Sequence, residues 1–404
     1  MLLATGAISG QYAEPFAPLA AQFARHFAQH QEIGASLCVY HRGEMVVDLW
    51  GGLADRDTGA PWTADSLIVV FSVTKGLAAM ALNIAAERGL FNWDMPVAHY
   101  WPAFAQAGKD RITVRQLFNH RAGLAAITAP LTLAQFCDPA QADAIRAILA
   151  AQPAASAPDA SQGYHALSFG MYADAFFEIA CGEPLGQFLH REYLDPLQAD
   201  VFMGTPAEQD ERIATLYPVP TPQRVGHMVL AAVRGGSTES NVARSFLRGG
   251  LAKTALTNPS TPGGLGAYNQ APVRRNCLSW ASATATARGL ARAYGPWSMD
   301  GLWQGHRFVA QETIAPITQR QGWSEIDLVL GKPLGWAQGF LKEEDGVFSP
   351  NRESFGHAGM GGALGWCDPK AHLSLGYTMN HCDWRVRSPR ALALCEALYR
   401  CQLP

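Results

Sequence analysis

The sequence carries little charge and no marked excess of either sign. Only 16% of its 404 residues are Asp, Glu, Lys or Arg, and the formal net charge is -3, whereas an average chain has roughly 25% charged residues. This balance gives no sign of a surface that binds nucleic acid or an anionic membrane. Hydrophobic residues make up 48%, which favours a globular protein with a large core over a disordered or fibrous one.

The sequence also lacks metal-type cysteine spacing and long apolar runs. None of its eight cysteines forms a Cys-x-x-Cys pair, so we interpret them as buried free thiols in a reducing compartment. The longest apolar run, residues 77–86, is too short to span a bilayer and contains Asn83. Residues 1–10 show neither the basic nor the apolar region of a secretory signal. We expect a cytoplasmic protein that uses no metal or cofactor and has no membrane or nucleic-acid partner.

Ser72 and Lys75 form the pattern with the most chemical content. An apolar, β-branched stretch at residues 67–71 precedes Ser72, and an Ala- and Leu-rich stretch without Pro extends to residue 87. This order predicts a buried extended segment, a turn at Ser72 and then a helix. Lys75 then lies one helical turn from Ser72, and the helix N-terminus favours an oxyanion. The pair indicates a nucleophile with a candidate base; the alternative is a helix-capping Ser with a solvated Lys.

Strand patterns lie near both ends of the chain. The pattern of residues 35–50 predicts a β-hairpin with Gly43 in the turn, and the pattern of residues 363–380 predicts a strand, a turn and a strand. Amphipathic or capped helices are predicted at residues 14–30 and 388–399. The two ends of the chain are therefore expected to build one sheet together.

We predict an α/β fold with two domains. Residues 1–80 and 282–404 form an α/β sandwich domain, in which N- and C-terminal helices flank an antiparallel sheet, and residues 81–281 form a mostly helical inserted domain. Within the insertion, residues 217–266 are rich in Pro, Gly and Ser and are predicted to be a long connection.

Two further motifs follow Ser-x-x-Lys along the chain. Tyr164 comes after a Pro-containing loop, and the triplet His357-Ala358-Gly359 lies in a Gly-rich stretch near the C-terminus. In this order the motifs resemble the serine β-lactamase and penicillin-binding-protein superfamily, most of all its class C-like branch with the family VIII carboxylesterases. The resemblance is carried by residues 71–76, 112–124, 163–165, 282–292 and 356–369.

The resemblance implies a serine hydrolase and a role for each motif residue. Ser72 would be the acylated nucleophile and Lys75 its proton partner. Tyr164 would act with Lys75 as general base and then acid, which a phenol can do only if a Lys75 cation lowers its pKa. The oxyanion hole would consist of the backbone N–H groups of Ser72 and Met360.

Two departures from the family pattern favour esters over β-lactams. Ala166 stands where the family's Tyr-x-Asn motif has its Asn, so an amide partner for the substrate is missing. His357 replaces the Lys of Lys-Thr-Gly, with Ala358 and Gly359 in the other two places, so no permanent cation holds a β-lactam carboxylate. A structural role for His357 is an open alternative to a catalytic contact, and for His120 we expect a structural role.

We therefore predict a hydrolase of small carboxylic esters. Whether it also hydrolyses β-lactams weakly stays open. Trp336, Trp366 and Tyr268 are candidate walls of an apolar substrate pocket, although core packing explains each of them equally well. The alternatives on the same site are an amidase, a D-peptidase, a β-lactamase or an acyltransferase, and the non-enzymatic one is a silent binding or sensor protein. The natural substrate and the oligomeric state, a homo-oligomer included, stay open.

Overall fold

The computed structural model describes residues 8–29, 31–342 and 346–402. Its largest sheet is antiparallel and takes its strands from both ends of the chain, as predicted. In spatial order these strands are Ile8–Tyr12, Glu44–Asp55, Gly34–His41, Leu373–Met379, Leu364–Asp368, Phe355–Ala358, Phe340–Lys342, Leu334–Ala337 and Gly322–Ser324, with the short strand Ala60–Pro61 paired to Glu44–Asp55.

The two ends of the chain meet in the middle of this sheet. Leu373–Met379 pairs with Gly34–His41, and all seven residues of the former strand are buried. Its neighbours include the helix Ala287–Ser298, which comes so close that a Cβ on Gly376 would lie 2.1 Å from the carbonyl oxygen of Ala287. Only glycine permits this approach of helix to strand.

The predicted terminal helices flank the sheet. The N-terminal helix Ala17–Ala28 packs against the C-terminal helix Pro389–Tyr399. Leu398 of the C-terminal helix meets Leu375 of the sheet around a small cavity. The mixed α/β architecture with flanking helices is therefore confirmed, although position 30, the last of the predicted N-terminal helix, lies outside the described residues.

Helices dominate the chain between the two groups of sheet strands. Three short strands, Ile68–Val69, Val201–Phe202 and Thr284–Ala285, form a second sheet, and Leu302–Trp303 pairs with His306–Arg307. The predicted domain boundaries at residues 80 and 281 stay a prediction. The helices of this part are Val73–Glu87, Val97–Tyr100, Val114–Phe118, Leu133–Phe136, Ala142–Ala151, Ser168–Cys181, Leu185–Leu189, Asp195–Leu197, Thr221–Arg234, Thr238–Arg248, Leu251–Thr257, Ala271–Arg275, Ala287–Ser298 and Gln311–Thr318.

The predicted long connection at residues 217–266 is wrong, because three of these helices lie in it. Pro222 occupies the first turn of Thr221–Arg234, where a helix needs no N–H donor, so this proline starts the helix instead of breaking it. Gly235 and Gly249 end the first two helices with positive φ angles, so these glycines are helix caps and not parts of a long loop.

The helix Val73–Glu87, called the central helix below, lies between the main sheet and the helical part. It packs against the strand Phe355–Ala358 and against the helices Ser168–Cys181 and Leu185–Leu189. Every residue from 73 to 85 is buried. None of the helices within the described residues combines the length and the apolarity that crossing a bilayer requires.

Candidate active site

Ser72 lies where the chain leaves the short strand Ile68–Val69 and enters the central helix. Phe71, just before it, has a φ of +47°, a strained left-handed conformation for a bulky side chain. The turn leaves Ser72 partly exposed, and it is the one residue between 66 and 85 that is not buried. The predicted order of extended segment, turn and helix is confirmed, and it presents one reachable hydroxyl in an otherwise buried segment.

Lys75 is fully buried beside this hydroxyl. Its Nζ lies 2.9 Å from Ser72 Oγ and donates a hydrogen bond to the carbonyl oxygen of Trp280 at 3.0 Å. Burial holds the pKa of Lys75 well below its ordinary value. The alternative of a solvated lysine is therefore wrong. A neutral amine has a free lone pair, so Lys75 can act as a base toward Ser72 Oγ.

Tyr164 reaches the same oxygen from a distant part of the chain. Its Oη donates a hydrogen bond to Ser72 Oγ at 3.3 Å, and Lys75 Nζ lies 5.4 Å from the centroid of its ring. The carboxylate of Asp327 accepts a hydrogen bond from the N–H of Tyr164 at 3.1 Å, which fixes the loop. The three predicted residues of the proton machinery therefore meet at one oxygen atom.

Burial sets the protonation state of Tyr164. Burial raises its pKa to about 12, although the hydrogen bond to Ser72 and the charge of Arg387 act in the opposite direction. The condition for Tyr164 to act as a base, a Lys75 cation that lowers its pKa, is not met in the resting site, since burial disfavours that cation as well. In the resting site Tyr164 is a neutral phenol that donates to Ser72, and the available base is the amine of Lys75.

His357 contributes no cation to the site. On the strand Phe355–Ala358 its Nδ1 donates to the carbonyl oxygen of Ala358 at 2.8 Å. Within the described part of the chain, the buried Nε2 has no hydrogen-bond partner. Burial, followed by the nearby Lys75, holds the pKa of His357 well below its ordinary value. The imidazole is therefore neutral, and its ring centroid lies 6.2 Å from that of Tyr164.

The predicted oxyanion donors lie on two segments that touch. A Cβ on Gly359 would come within 2.3 Å of the carbonyl oxygen of Val70, so glycine lets the end of the strand approach the turn before Ser72. Met360 opens the 3-10 turn Met360–Gly362, and Ser72 is the N-cap of the central helix. N–H groups at such positions find no acceptor within their own helix. They are available to a developing oxyanion.

Two of the three predicted aromatic wall residues lie close to the site. Trp336 stacks on Tyr164 with a centroid distance of 5.6 Å and an interplanar angle of 9°. Tyr268 contacts Phe71 edge-on at 5.3 Å, and its Oη accepts a hydrogen bond from Trp280 Nε1. Both side chains are almost fully buried, so each supports the site, and a direct substrate contact stays a prediction.

Trp366, the third predicted wall residue, is not brought to Ser72. Side chains alternate along a strand. A Cβ on Gly365 would face Val73 of the central helix, whereas Trp366 faces the other side of the sheet and packs on Phe348 at 5.0 Å. The prediction for Trp366 is wrong for this reason.

His120 has surroundings that fit the expected structural role. Its Nδ1 accepts a hydrogen bond from the N–H of His165 at 2.9 Å, and its ring packs between Tyr164 and Phe169. Burial holds its pKa well below the ordinary value. Within the described residues, no group of His, Cys, Asp or Glu side chains is arranged to hold a metal ion.

The sequence reasoning missed three groups that the fold brings to the site. The carbonyl oxygen of Trp280 orients Lys75, and the carboxylate of Asp327 holds Tyr164. The charge of Arg387 is close enough to lower the pKa of both Tyr164 and His357. Desolvation lowers the pKa of Arg387 itself to about 10, so it is a cation at neutral pH. None of the three belongs to a local motif that could have marked it.

Comparison with known proteins relates the whole chain to one family. The sequence model of the beta-lactamase family matches residues 19–396. The Esterase/beta-lactamase LipL of Mycobacterium tuberculosis is 32% identical over 380 residues, which are 93% of this chain and 82% of that protein.

Solved structures agree with this relation. A penicillin-binding protein homolog from Caulobacter crescentus superposes with a TM-score of 0.84 at 31% identity, covering 97% of this chain and 99% of that one. A family VIII carboxylesterase superposes with a TM-score of 0.81 at 33% identity, covering 98% of this chain and 99% of that one.

The buried amine of Lys75 has a measurable consequence for stability. Because its folded pKa lies below the ordinary 10.5, the unfolded chain binds the extra proton, and this contribution destabilises the fold increasingly as pH falls below 10.5. We expect Lys75→Met to raise the free energy of unfolding at pH 7, by about 1.4 kcal/mol per pKa unit, and this gain should shrink toward pH 10. Urea unfolding across this pH range measures it.

The exposed Lys253 provides the matched control. Lys253→Met should give a difference from wild type that does not change with pH. If the Lys75→Met difference were equally constant between pH 7 and pH 10, Lys75 would be charged in the folded protein and could not be the resting base.

Proposed function

This chain belongs to the β-lactamase family, as its sequence motifs predicted, and on that premise we propose that it hydrolyses small carboxylic esters through an acyl-enzyme on Ser72. The protein is a serine hydrolase, like the esterases to which it is similar. One observation carries the assignment of the site: Lys75 Nζ and Tyr164 Oη lie 2.9 Å and 3.3 Å from the same oxygen, Ser72 Oγ.

Acylation begins when Ser72 Oγ attacks the carbonyl carbon of the ester. The hydroxyl proton passes to the neutral amine of Lys75, and the negative charge collects on the former carbonyl oxygen. The N–H groups of Ser72 and Met360 donate hydrogen bonds to that oxygen. Tyr164 then gives its proton to the departing alkoxide and takes the proton held by Lys75, so the alcohol leaves neutral and both residues return to their starting states.

Deacylation repeats these steps with water as the nucleophile. Lys75 accepts the proton of the attacking water, and the oxyanion returns to the same two N–H groups. Tyr164 then gives its proton to Ser72 Oγ and takes the proton held by Lys75. When the tetrahedral intermediate collapses, Ser72 Oγ leaves and recovers its proton. The products are a carboxylic acid and the free enzyme, and no proton is gained or lost by the site.

The surroundings of the site favour neutral esters. Ala166 offers no side-chain amide to a substrate, and His357 is neutral and donates its only N–H to a main-chain carbonyl. A relative that is 32% identical is named an esterase/beta-lactamase, and a family VIII carboxylesterase is 33% identical over nearly its full length. Both names support ester cleavage by this chain.

We further propose that the protein works in the cytoplasm. All eight cysteines are free thiols, and five of them are buried. Thiols persist without pairing in a reducing compartment.

The nucleophile is tested with Ser72→Ala. Because acylation needs this oxygen, we expect turnover of p-nitrophenyl butyrate to fall by at least about 1,000-fold and the mass shift from an alkyl fluorophosphonate to disappear. Ser9→Ala removes an exposed hydroxyl and should change neither. A folded Ser72→Ala protein that keeps a tenth of the activity would disprove the assignment. If the wild type were labelled by the fluorophosphonate but showed no turnover, the protein would be catalytically silent. If the wild type transferred the acyl group only to added alcohols, it would be an acyltransferase.

The proton transfer by Lys75 and Tyr164 is tested with Tyr164→Phe, which keeps the ring and removes the hydroxyl. We expect kcat/KM to fall by about 100-fold or more, as is usual when general acid–base help is lost, with little change in stability. Lys75→Ala should be at least as damaging, and the double variant little worse than either, because the two residues act as a unit. Tyr100→Phe, at a partly exposed phenol, is the control. If the two losses multiplied as independent terms, the two residues would not act as a unit, and if Tyr164→Phe stayed near wild type, Tyr164 would be a packing residue.

β-Lactam hydrolysis is a second candidate function, and Arg387 is the observation that favours it. The sequence offered no cation in the place of the family's lysine, but the charge of Arg387 acts on both Tyr164 and His357. A guanidinium so placed can attract the carboxylate that a cephalosporin carries and that a simple ester lacks.

Substitution of this arginine separates the two substrate classes. In the wild type we expect kcat/KM for p-nitrophenyl butyrate to exceed that for a chromogenic cephalosporin. Arg387→Gln should lower cephalosporin turnover by about 10-fold or more, since a lost hydrogen bond to a charged group costs that much, and should change ester turnover by less than about 3-fold. Arg385→Gln, two positions earlier, should affect neither substrate. Equal losses on both substrates would show that Arg387 acts on Tyr164 and not on a substrate carboxylate.

A further inference from the structure

The helices Thr221–Arg234 and Thr238–Arg248, called the helix pair below, carry an apolar stripe that faces solvent. The first helix buries none of its residues. Val225, Val229 and Val233 follow each other at four-residue steps, so they line one face of it, and they are 50%, 46% and 76% exposed. An amphipathic helix normally turns such a stripe toward a core or a partner.

The same segment concentrates positive charge. Residues 221–257 contain five Lys or Arg side chains and a single acidic one, Glu239, which is a local net charge of +4 in a chain whose total is -3. On the second helix, Arg244 and Arg248 bracket Leu247, which is 64% exposed. The exposed basic residues of the segment are Arg234, Arg244, Arg248 and Lys253.

Polar contacts hold the helix pair beside the candidate active site. Asn241 donates a hydrogen bond to the carbonyl oxygen of Gly331 at 2.8 Å, in the loop whose Asp327 holds Tyr164. His227 stacks on Trp384 with a centroid distance of 5.0 Å. The N–H of the neighbouring Asp383 donates a hydrogen bond to the carbonyl oxygen of Gly361, in the turn Met360–Gly362. These contacts use the flanks of the helices and leave the stripe outward.

We propose that the helix pair is a docking surface for an anionic lipid bilayer, on which the protein lies peripherally. An exposed apolar stripe edged by basic side chains is the pattern of a helix that lies in the plane of a membrane interface. The anionic lipids of a cytoplasmic leaflet attract this sign of charge. The proposal goes beyond ester hydrolysis and does not depend on it. It revises the expectation that the protein has no membrane partner, because that expectation rests on the net charge of the whole chain and not on the local charge of this segment.

A second copy of the chain fits this surface less well than a lipid headgroup region does. A symmetric dimer through the stripe would bring two segments of net charge +4 face to face, and the like charges would repel. In a bilayer, the anionic headgroups would neutralise the charge of the arginines, and the acyl-chain region would bury the valine side chains. Because the helix pair is attached beside the turn Met360–Gly362, docking would also place the site next to esters dissolved in the bilayer.

Flotation of the full-length protein with lipid vesicles tests the proposal directly. We expect vesicles of equal phosphatidylglycerol and phosphatidylcholine to carry the protein to the top of a density gradient. Binding should fall by at least about 10-fold on pure phosphatidylcholine or in 1 M salt, because screening removes the electrostatic part. Val229→Asp/Val233→Asp should lower binding by at least about 10-fold, because it removes two buried apolar side chains from the interface.

Leu302→Asp is the matched control, since this leucine is 43% exposed on the separate hairpin Leu302–Trp303/His306–Arg307 and should bind vesicles like the wild type. All variants should hydrolyse a soluble p-nitrophenyl ester at wild-type rates, which verifies their folding. The proposal is wrong if anionic vesicles do not carry the protein, or if Val229→Asp/Val233→Asp floats like the control. A dimer in sedimentation velocity that these two substitutions dissociate, without vesicle binding, would assign the stripe to a second copy instead.

Discussion

The structure depends on keeping one lysine amine uncharged next to a serine hydroxyl. An ammonium group in water is a poor base, and a nearby carboxylate would stabilise it further. Lys75 is completely buried, and among the described residues its fixed partner besides Ser72 is the carbonyl oxygen of Trp280, not a carboxylate. A carbonyl accepts an N–H hydrogen bond with much less stabilisation of a charge than a carboxylate gives. The amine is thus oriented and still free to take a proton.

This requirement explains why the central helix lies at the junction of sheet and helical part. A surface helix would expose Lys75, whereas here every residue from 73 to 85 is buried. Gly76 is one condition of that burial, because a Cβ there would lie 2.1 Å from Tyr294 Oη and 3.3 Å from the Cβ of His357. The sheet built from both chain ends covers one side of the helix, and the helical part, which also supplies Tyr164, covers the other.

The sequence predicted the local and repeating features and missed those that depend on distant contacts. The helix that begins after Ser72 and the strands near both chain ends rest on short-range patterns, and these elements are predicted correctly. Trp366 was misplaced because the face of the sheet to which it belongs depends on strand register. Asp327 and Arg387 escaped notice because nothing near them in sequence marks a site. The helices within residues 217–266 are missed because the place of Pro222 in a first turn is visible only once the helix is known.

Burial also explains how Lys75 and Tyr164 work as a pair without an ion at rest. In water the two groups have similar pKa values, near 10, so they bind a proton with similar affinity. Burial disfavours whichever form is charged, and it therefore lowers the pKa of the amine while raising that of the phenol to about 12. One state, amine plus phenol, is then favoured over a wide pH range. Charge appears in the pair only when Ser72 gives up its proton, at the moment when the oxyanion forms beside it.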